Sequence, residues 1–230
     1  MTQTTEANGR IRPLGLREVR SSPKVRAYIE KANAQMAVIG YTEHGVRHAA
    51  LVAAIARSIC TSLDYSPAEV ELASVAGYLH DIGNVVSRFT HPQIGATIAF
   101  VLLQEMGFEA ERIATIIGAI GNHEEPEGVP INPITAAVIL ADKSDVHFTR
   151  VQNPDPRTYD IHDRVNQAVQ RSRLRTDAEA KRLTLELTID TDVASVMEYF
   201  EIFVERMVMC RKSAQVLGCG FALSINGVDM

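Results

Sequence analysis

The chain has 230 residues, of which 46% are hydrophobic and 22% are charged, and its net charge at pH 7 is −5. This composition is typical of a globular protein, and the length suits one large domain or a domain with a small appendage. The net negative charge and the absence of tryptophan argue against a surface for duplex or single-stranded nucleic acid.

The sequence contains no signal for export or for insertion into a membrane. Its apolar runs fall short of the roughly 18 residues that a membrane span needs, and its N-terminus is polar. The three cysteines, Cys60, Cys210 and Cys219, form no Cys-x-x-Cys pair, which favours reduced and packed thiols over a disulfide framework. We therefore expect a soluble, cytoplasmic protein.

The first third of the chain predicts amphipathic helices. Residues 1–22 are polar and predict a flexible arm, after which a Ser-Pro pair predicts a helix start. The next helix is expected from Thr42 onward and would carry His44 and His48 one turn apart on one face. Such a pair can reach one metal centre, although His44 could equally be a surface or capping residue.

The following predicted helix ends in the dipeptide His80-Asp81. A Ser-Pro-Ala-Glu sequence marks its start, and apolar and small residues follow, as in a buried central helix. An unpaired carboxylate in these surroundings would be costly, and no lysine or arginine lies near it in the sequence. A bound metal therefore explains Asp81 better than a salt bridge does.

Three more helices are predicted to bring polar residues towards this dipeptide. The first begins at His91, the second delivers His123 at its C-terminus, and the third carries Asp142 and Lys143 after an Asn-Pro cap. Asp145 lies one turn beyond Asp142 and is placed to orient a metal ligand. A capping role for His123 and a solvated Lys143 are the alternatives.

The last third of the chain begins with a proline-rich boundary at residues 149–160. A polar helix is expected from Ile161 to about Ser172. The alternating arginines of residues 171–175 are interpreted as a solvated basic face that could also reach a phosphate.

Residues 183–189 then alternate between apolar and polar, which predicts a half-buried strand. A long helix capped by Asp192 and a second strand at residues 221–225 complete a β-α-β element. Two strands alone make a marginal sheet, so we expect this element to pack on the helical domain or to pair with another subunit in a homodimer.

Histidine and aspartate are the ligands that bind divalent transition metals where thiolates are absent. The order of a lone helical histidine, a His-Asp pair and a distant aspartate resembles the HD-domain metal-dependent phosphohydrolase superfamily, over about residues 40–150. The resemblance implies a mostly α-helical HD-domain bundle at residues 23–150. The C-terminal helix and the β-α-β element, expected from the sequence pattern, form an appendage at residues 151–230. It places four metal ligands on His48, His80, Asp81 and Asp142.

The additional histidines are similar to those of the HD-GYP branch, whose members hold two or more metals. This similarity implies a second ion held by His91, His123 and His44, with Asp81 bridging the two ions. Two features depart from that branch. Asn84 replaces the lysine that usually follows the His-Asp motif, and the Gly-Tyr-Pro segment is missing after His123.

The implied activity is hydrolysis of a phosphomonoester or phosphodiester, with a small, nucleotide-like substrate. Asp81 would act at the metal centre, while Lys143 or Arg88 would neutralise phosphate charge; a loop arginine without a role is the alternative for Arg88. Histidine-rich sites favour Mn or Fe, with Zn, Co or Ni as further candidates.

Three other functions stay open at this stage. One is a di-iron oxygenase on the same fold, and another is a metal- or nucleotide-binding module with weak or no turnover. The third is a cyclic-dinucleotide phosphodiesterase, which the shortened segment after His123 disfavours.

Overall fold

The computed structural model describes residues 14–230. Within this range, the chain forms α-helices and strands in the order α1 (Leu16–Ser21), α2 (Pro23–Val38), α3 (Val46–Ser62), α4 (Pro67–Leu79), α5 (His91–Met106), α6 (Ala110–Gly121), α7 (Pro133–Lys143), α8 (Ile161–Ala168), β1 (Val169–Asp177), β2 (Arg182–Ile189), α9 (Val196–Val216), β3 (Gly220–Ile225) and β4 (Val228–Asp229). Short 3₁₀ turns lie at Ile82–Val85, Phe148–Arg150 and Pro156–Thr158. The predicted fold class, mostly helical with a small C-terminal sheet, is confirmed.

Several helices begin at the predicted capping residues. Ser22 accepts a hydrogen bond from the Val25 amide at the start of α2, and Asn132 accepts one from the Thr135 amide at the start of α7. Each cap satisfies a backbone amide that has no partner within its own helix. α4 begins with the predicted capping box at Ser66.

Two predicted helix starts are wrong. α3 begins at Val46, after the N-cap Gly45, so the segment from Thr42 to His44 is not helical. α9 begins after Ser195, whose side chain and that of Glu198 form a capping box, and not after Asp192. A capping box satisfies two backbone amides at once, which explains why the helix begins after Ser195 and not after Asp192.

The main core lies between helices, with α4 and α7 at its centre. The last seven residues of α4, Ala73–Leu79, are all buried, and so is almost every residue of α7. A helix that is apolar on all sides must be surrounded by protein. Gly77 permits close packing of α4, because a Cβ there would come within 3.2 Å of the Ala53 backbone in α3.

The predicted flexible arm is wrong for the part that the structure describes. Residues 16–21 form α1, and Val19 is fully buried. The Leu16 amide donates a 2.6 Å hydrogen bond to Oε1 of Glu71 on α4. Residues 1–13 of the predicted arm lie outside the described residues.

The C-terminal part contains a four-stranded sheet in the order β1-β2-β3-β4. β2 and β3 are parallel and are connected by α9, which confirms the predicted β-α-β element. β1 pairs antiparallel with β2, and β4 pairs antiparallel with β3. These additional strands make the sheet larger than the two-stranded one that was expected.

The helix predicted to reach Ser172 is also wrong, because α8 ends at Ala168 and β1 follows at once. In β1 the three arginines are exposed, while Ser172 and Leu174 between them are partly buried. Ser172 donates a 2.6 Å hydrogen bond to the carbonyl of Ser144. The alternation of exposed and buried residues is that of a strand.

A second core lies between the sheet and α9, and includes Val165, Leu185, Tyr199, Phe203 and Ile225. Leu174, Met207 and Phe221 pack against both cores, so the C-terminal element is joined to the helical bundle. Pairing with a second subunit stays a prediction. Among residues 14–230, none of the helices combines the length and the apolarity that a membrane crossing requires.

Candidate metal centre

The ends of five helices bring histidine and aspartate side chains to one buried point. His48 lies in the first turn of α3, His91 begins α5, and His123 follows α6. The His80-Asp81 pair follows the last residue of α4, and Asp142 lies in the last turn of α7. All six side chains are buried.

One group of atoms at this point belongs to His48, His80, Asp81 and Asp142. The Nε2 atoms of the two histidines are 3.1 Å apart. Oδ2 of Asp81 lies 3.4 Å from His48 Nε2 and 3.2 Å from His80 Nε2. Oδ1 of Asp142 lies 3.2 Å and 3.5 Å from the same two nitrogens. Four donor atoms therefore surround one point.

A second group forms on the other oxygen of Asp81. Oδ1 of Asp81 lies 3.2 Å from His91 Nε2 and 3.8 Å from His123 Nε2, and the two nitrogens are 3.1 Å apart. The Asp81 carboxylate thus faces one pair of histidines with each of its oxygens.

Each of these histidines is held by a hydrogen bond at its other ring nitrogen. Nδ1 contacts an acceptor oxygen in every case: Asp145 Oδ2 at 2.7 Å for His48, and the carbonyls of Gly77 at 2.8 Å for His80, Arg88 at 2.7 Å for His91 and Ile120 at 2.6 Å for His123. The proton therefore belongs on Nδ1, and the lone pair of Nε2 faces the centre. This is the usual arrangement of histidines that bind metals.

These distances and donors fit divalent metal ions. Ligand atoms about 2.1 Å from one ion and at right angles to each other are about 3 Å apart, close to the separations observed here. Two Nε2 lone pairs facing each other at 3.1 Å repel unless a proton or a metal ion lies between them. Three triads have ligand atoms within 4.8 Å of one another: His48-His80-Asp142, His80-Asp81-His123 and His91-His123-Glu124.

His44 lies near this centre but is placed less closely than the other histidines. Its Nε2 is 4.0 Å from Asp81 Oδ2, and its Nδ1 contacts the Thr42 carbonyl at 2.5 Å. The prediction that His44 and His48 share a helical face is wrong, because His44 precedes α3. The loop before α3 nevertheless brings His44 to the edge of the centre.

The carboxylates make the centre attractive to cations. Burial raises the pKa of Asp81, but the charge of His80 and hydrogen bonds with neighbouring histidines hold it well below its ordinary value. Burial and Arg150 lower the pKa of His48, but hydrogen bonds to Asp142, Asp145 and Asp81 raise it to about 9. Without a metal, a proton on His48 would balance part of the carboxylate charge.

Arg88 and Lys143, the two predicted phosphate contacts, belong to one buried ion-pair chain. Arg88 pairs with Glu124, and Lys143 pairs with Glu124, with Glu125 at 2.7 Å and with Asp142 at 2.8 Å. Lys143 is only 1% exposed. Its charge is thus shared among three carboxylates, and its contact with the centre runs through Asp142.

The ion-pair chain ends at Arg206, a residue that was not predicted from the sequence to belong to the site. Nε of Arg206, on α9, donates a 2.9 Å hydrogen bond to Oε1 of Glu125. Glu124 and Glu125 were also missed, although Glu124 directly follows His123. No periodic signal marks Arg206, because it is distant in sequence and reaches the site only through the packing of α9.

A pocket of about 260 Å³ opens beside the centre. Its lining includes Tyr41, His44, Arg88, Asp160, His162 and Arg206. The Arg88 guanidinium carbon lies 5.4 Å from the centre of the Tyr41 ring, and Arg88 Nη1 lies 3.3 Å from the ring nitrogens of His91. Arg88 therefore lies between the pocket and the second group of ligand atoms.

Comparison with known proteins agrees with this geometry. The HD domain model matches residues 45–147, a range that contains all six closely placed side chains. An uncharacterized protein from Methanocaldococcus jannaschii is 26% identical over 215 residues, which span 83% of this chain and 81% of that protein.

Among solved structures, a predicted HD superfamily hydrolase from an uncultured Thermotogales bacterium is similar, with 22% identity and a TM-score of 0.40 over 58% of this chain and 75% of the other. The match to the domain model includes every residue of the two ligand groups. Residues 45–147 match the HD domain, which supports membership of this part of the chain in the HD-domain superfamily.

Proposed function

We propose that this protein is a metal-dependent phosphohydrolase that uses two divalent ions to cleave a small phosphomonoester or phosphodiester. The observation that supports this most is the position of Asp81, whose two oxygens face two separate histidine pairs. A carboxylate in this position can bridge two ions, and paired ions are a recurrent arrangement in enzymes of phosphoester hydrolysis.

In this proposal His48, His80, Asp142 and Oδ2 of Asp81 hold one ion. His91, His123 and Oδ1 of Asp81 hold the other, with His44 as a further ligand at the edge. Mn and Fe suit a centre with this many imidazoles, and Zn, Co and Ni remain candidates. Such ions polarise a phosphoryl oxygen and lower the pKa of water towards neutrality.

The protein's own groups would orient the substrate and balance its charge. Arg88 faces the pocket next to His91 and would neutralise a phosphate oxygen of the substrate. Lys143 would act indirectly, because it positions Asp142 and Glu124 and is itself buried. The buried carboxylates would otherwise repel an anionic substrate.

A nucleotide-like phosphoester is the substrate class that we propose from the family resemblance. The cationic wall formed by Arg88 and Arg206 supports an anionic substrate, and it favours hydrolysis over the di-iron oxygenase. The same histidines and aspartates could hold two irons, so the metal centre alone does not separate these functions.

Elemental analysis of the purified protein, paired with phosphate release from a panel of phosphoesters under air and under nitrogen, tests the proposal. We expect about two Mn or Fe ions per chain and phosphate release that does not require O₂. Two irons with O₂ consumption and no phosphate release would establish the oxygenase instead. If the protein binds metal but neither releases phosphate nor consumes O₂, the metal- or nucleotide-binding module is the remaining interpretation.

A further inference from the structure

One wall of the pocket beside the metal centre has no assigned contact with the reacting phosphoryl group. Arg206 lies on this wall and comes from α9, outside the matched HD-domain residues 45–147. His162 and Asp160, at the start of α8, line the same pocket. The C-terminal part of the chain therefore contributes directly to the space where a substrate would lie.

The Arg206 side chain is held in place but retains free hydrogen-bond donors. Its Nε donates to Glu125, and its guanidinium carbon lies 4.5 Å from the centre of the Phe203 ring. Among the described residues, no hydrogen-bond acceptor engages its Nη1 or Nη2. An arginine has five N–H donors, so most of its donors remain available to a ligand.

The ion pairs around Arg206 are shared between several residues. Glu125 is shared, because its Oε1 pairs with Arg206 and its Oε2 lies 2.7 Å from Lys143. Glu124 is shared in the same way between Arg88 and Lys143. Lys143 also pairs with Asp142, so three cations face three carboxylates in this ion-pair chain, and Asp160 adds a carboxylate to the pocket lining. The free Nη donors of Arg206, and not an excess of positive charge, would therefore bind an anionic group.

Among the described residues, Arg206 has no direct hydrogen bond or ion pair with a ligand residue, unlike Arg88. Arg88 Nη1 is 3.3 Å from the ring nitrogens of His91, whereas the contacts of Arg206 lead to Asp142 only through Glu125 and Lys143. A phosphoryl group at the metal centre would be next to Arg88. A group in front of Arg206 would be a different part of the same substrate.

We propose that Arg206 binds a second anionic group of the substrate, a phosphate or a carboxylate, while the reacting phosphoryl group lies at the metal centre. The substrate class is then a small phosphoester with an additional acidic group. This inference rests on the proposed function for the position of the reacting group, and its test does not require turnover.

The test uses three stable probes with the same two-carbon unit: ethylphosphonate, 3-phosphonopropionate and 1,2-ethylenebisphosphonate. Their affinities are measured by titration calorimetry with the Mn-loaded and the metal-free protein, and the metal content is checked after each titration. The two-group probes are 3-phosphonopropionate and 1,2-ethylenebisphosphonate, which each carry two acidic groups. We expect them to bind at least about tenfold more tightly than ethylphosphonate, a difference in binding free energy of about 1.4 kcal/mol. The tighter of the two identifies the second group as phosphate or carboxylate.

Arg206→Gln should remove the advantage of the two-group probes and leave the affinity for ethylphosphonate nearly unchanged. Arg211→Gln is the matched control, since Arg211 is an exposed arginine on the same helix. The double variant Arg206→Gln with Glu125→Gln removes both partners of the ion pair, and it should still lack the advantage.

Three results would overturn the inference. The two-group probes could bind no more tightly than ethylphosphonate to the wild-type protein, or their tighter binding could persist in Arg206→Gln. Their tighter binding could also return in the double variant. The last result would mean that Arg206 only balances Glu125. If the protein binds metal but hydrolyses no phosphoester, the proposed function fails, whereas the dependence of anion binding on Arg206 is still measured.

Discussion

Asp145 Oδ2 lies 2.7 Å from His48 Nδ1, and this hydrogen bond fixes the direction in which His48 Nε2 faces the metal centre. Asp145 is itself held by Arg47 Nη2 at 2.8 Å, and Arg150 Nη1 donates to its backbone carbonyl at 2.9 Å. Burial raises the pKa of the Asp145 carboxyl, but Arg150 and the bond to His48 hold it below its ordinary value. An ionised Asp145 thus orients a candidate ligand.

Asp145→Asn should weaken metal binding without removing any ligand. The amide cannot accept the Nδ1 proton as strongly, so His48 becomes a poorer and less well-oriented donor. Loss of such a supporting partner costs about 10- to 100-fold in metal affinity. Competition with a chelator measures this loss, and Asp177→Asn, at a strand end far along the chain, is the control. Unchanged affinity would mean that the bond has no influence on the metal.

His91→Ala should leave about one ion per chain, whereas Asp81→Ala should leave none. His91 belongs to one group of donor atoms only, while Asp81 faces both. Elemental analysis after desalting gives the counts, and circular dichroism confirms that the helices are retained. Two ions in Asp81→Ala would contradict the bridging position of Asp81.

Lys143→Met should destabilise the fold strongly. It would leave Asp142, Glu124 and Glu125 without their shared cation in a buried region, and breaking a buried ion pair costs about 3–5 kcal/mol. Urea unfolding in the presence of EDTA measures the change without a contribution from metal binding.

Adding Glu125→Gln to Lys143→Met should recover part of the lost stability, since one buried negative charge is removed. If the single variant unfolded at the wild-type urea concentration, the ion-pair chain would contribute nothing to the fold.

The cysteine thiols should react slowly in the folded protein. Burial, with a small contribution from Glu69, raises the pKa of Cys60 to about 12, and burial also raises the pKa of Cys210 to about 12. Because the thiolate is the reactive form, both residues are inert near neutral pH. We expect Ellman's reagent to react with three thiols per chain only after unfolding. Rapid reaction of two or more thiols in the native state would contradict the buried positions.

Most of the helices and most of the candidate ligands could be predicted from the sequence. Helix caps and apolar periodicity are local signals, and they place His80, Asp81, His91 and Asp142 at helix ends. These residues converge because the buried helices α4 and α7 must pack together, and their polar ends then meet at one point. His44 was misplaced because a glycine cap, which has no side chain to mark it, starts α3 four residues later than expected.

The arrangement of the ion pairs and of the pocket around the centre could not be predicted from the sequence, because it depends on the packing of distant segments. The sequence placed Lys143 beside Asp142, but its burial between Glu124 and Glu125 depends on the loop after α6. Arg206 is more than 120 positions from Asp81 along the chain and reaches the pocket through the packing of α9 on α7. Contacts between distant segments leave no periodic signal in a single sequence, because they depend on the whole core and not on neighbouring residues.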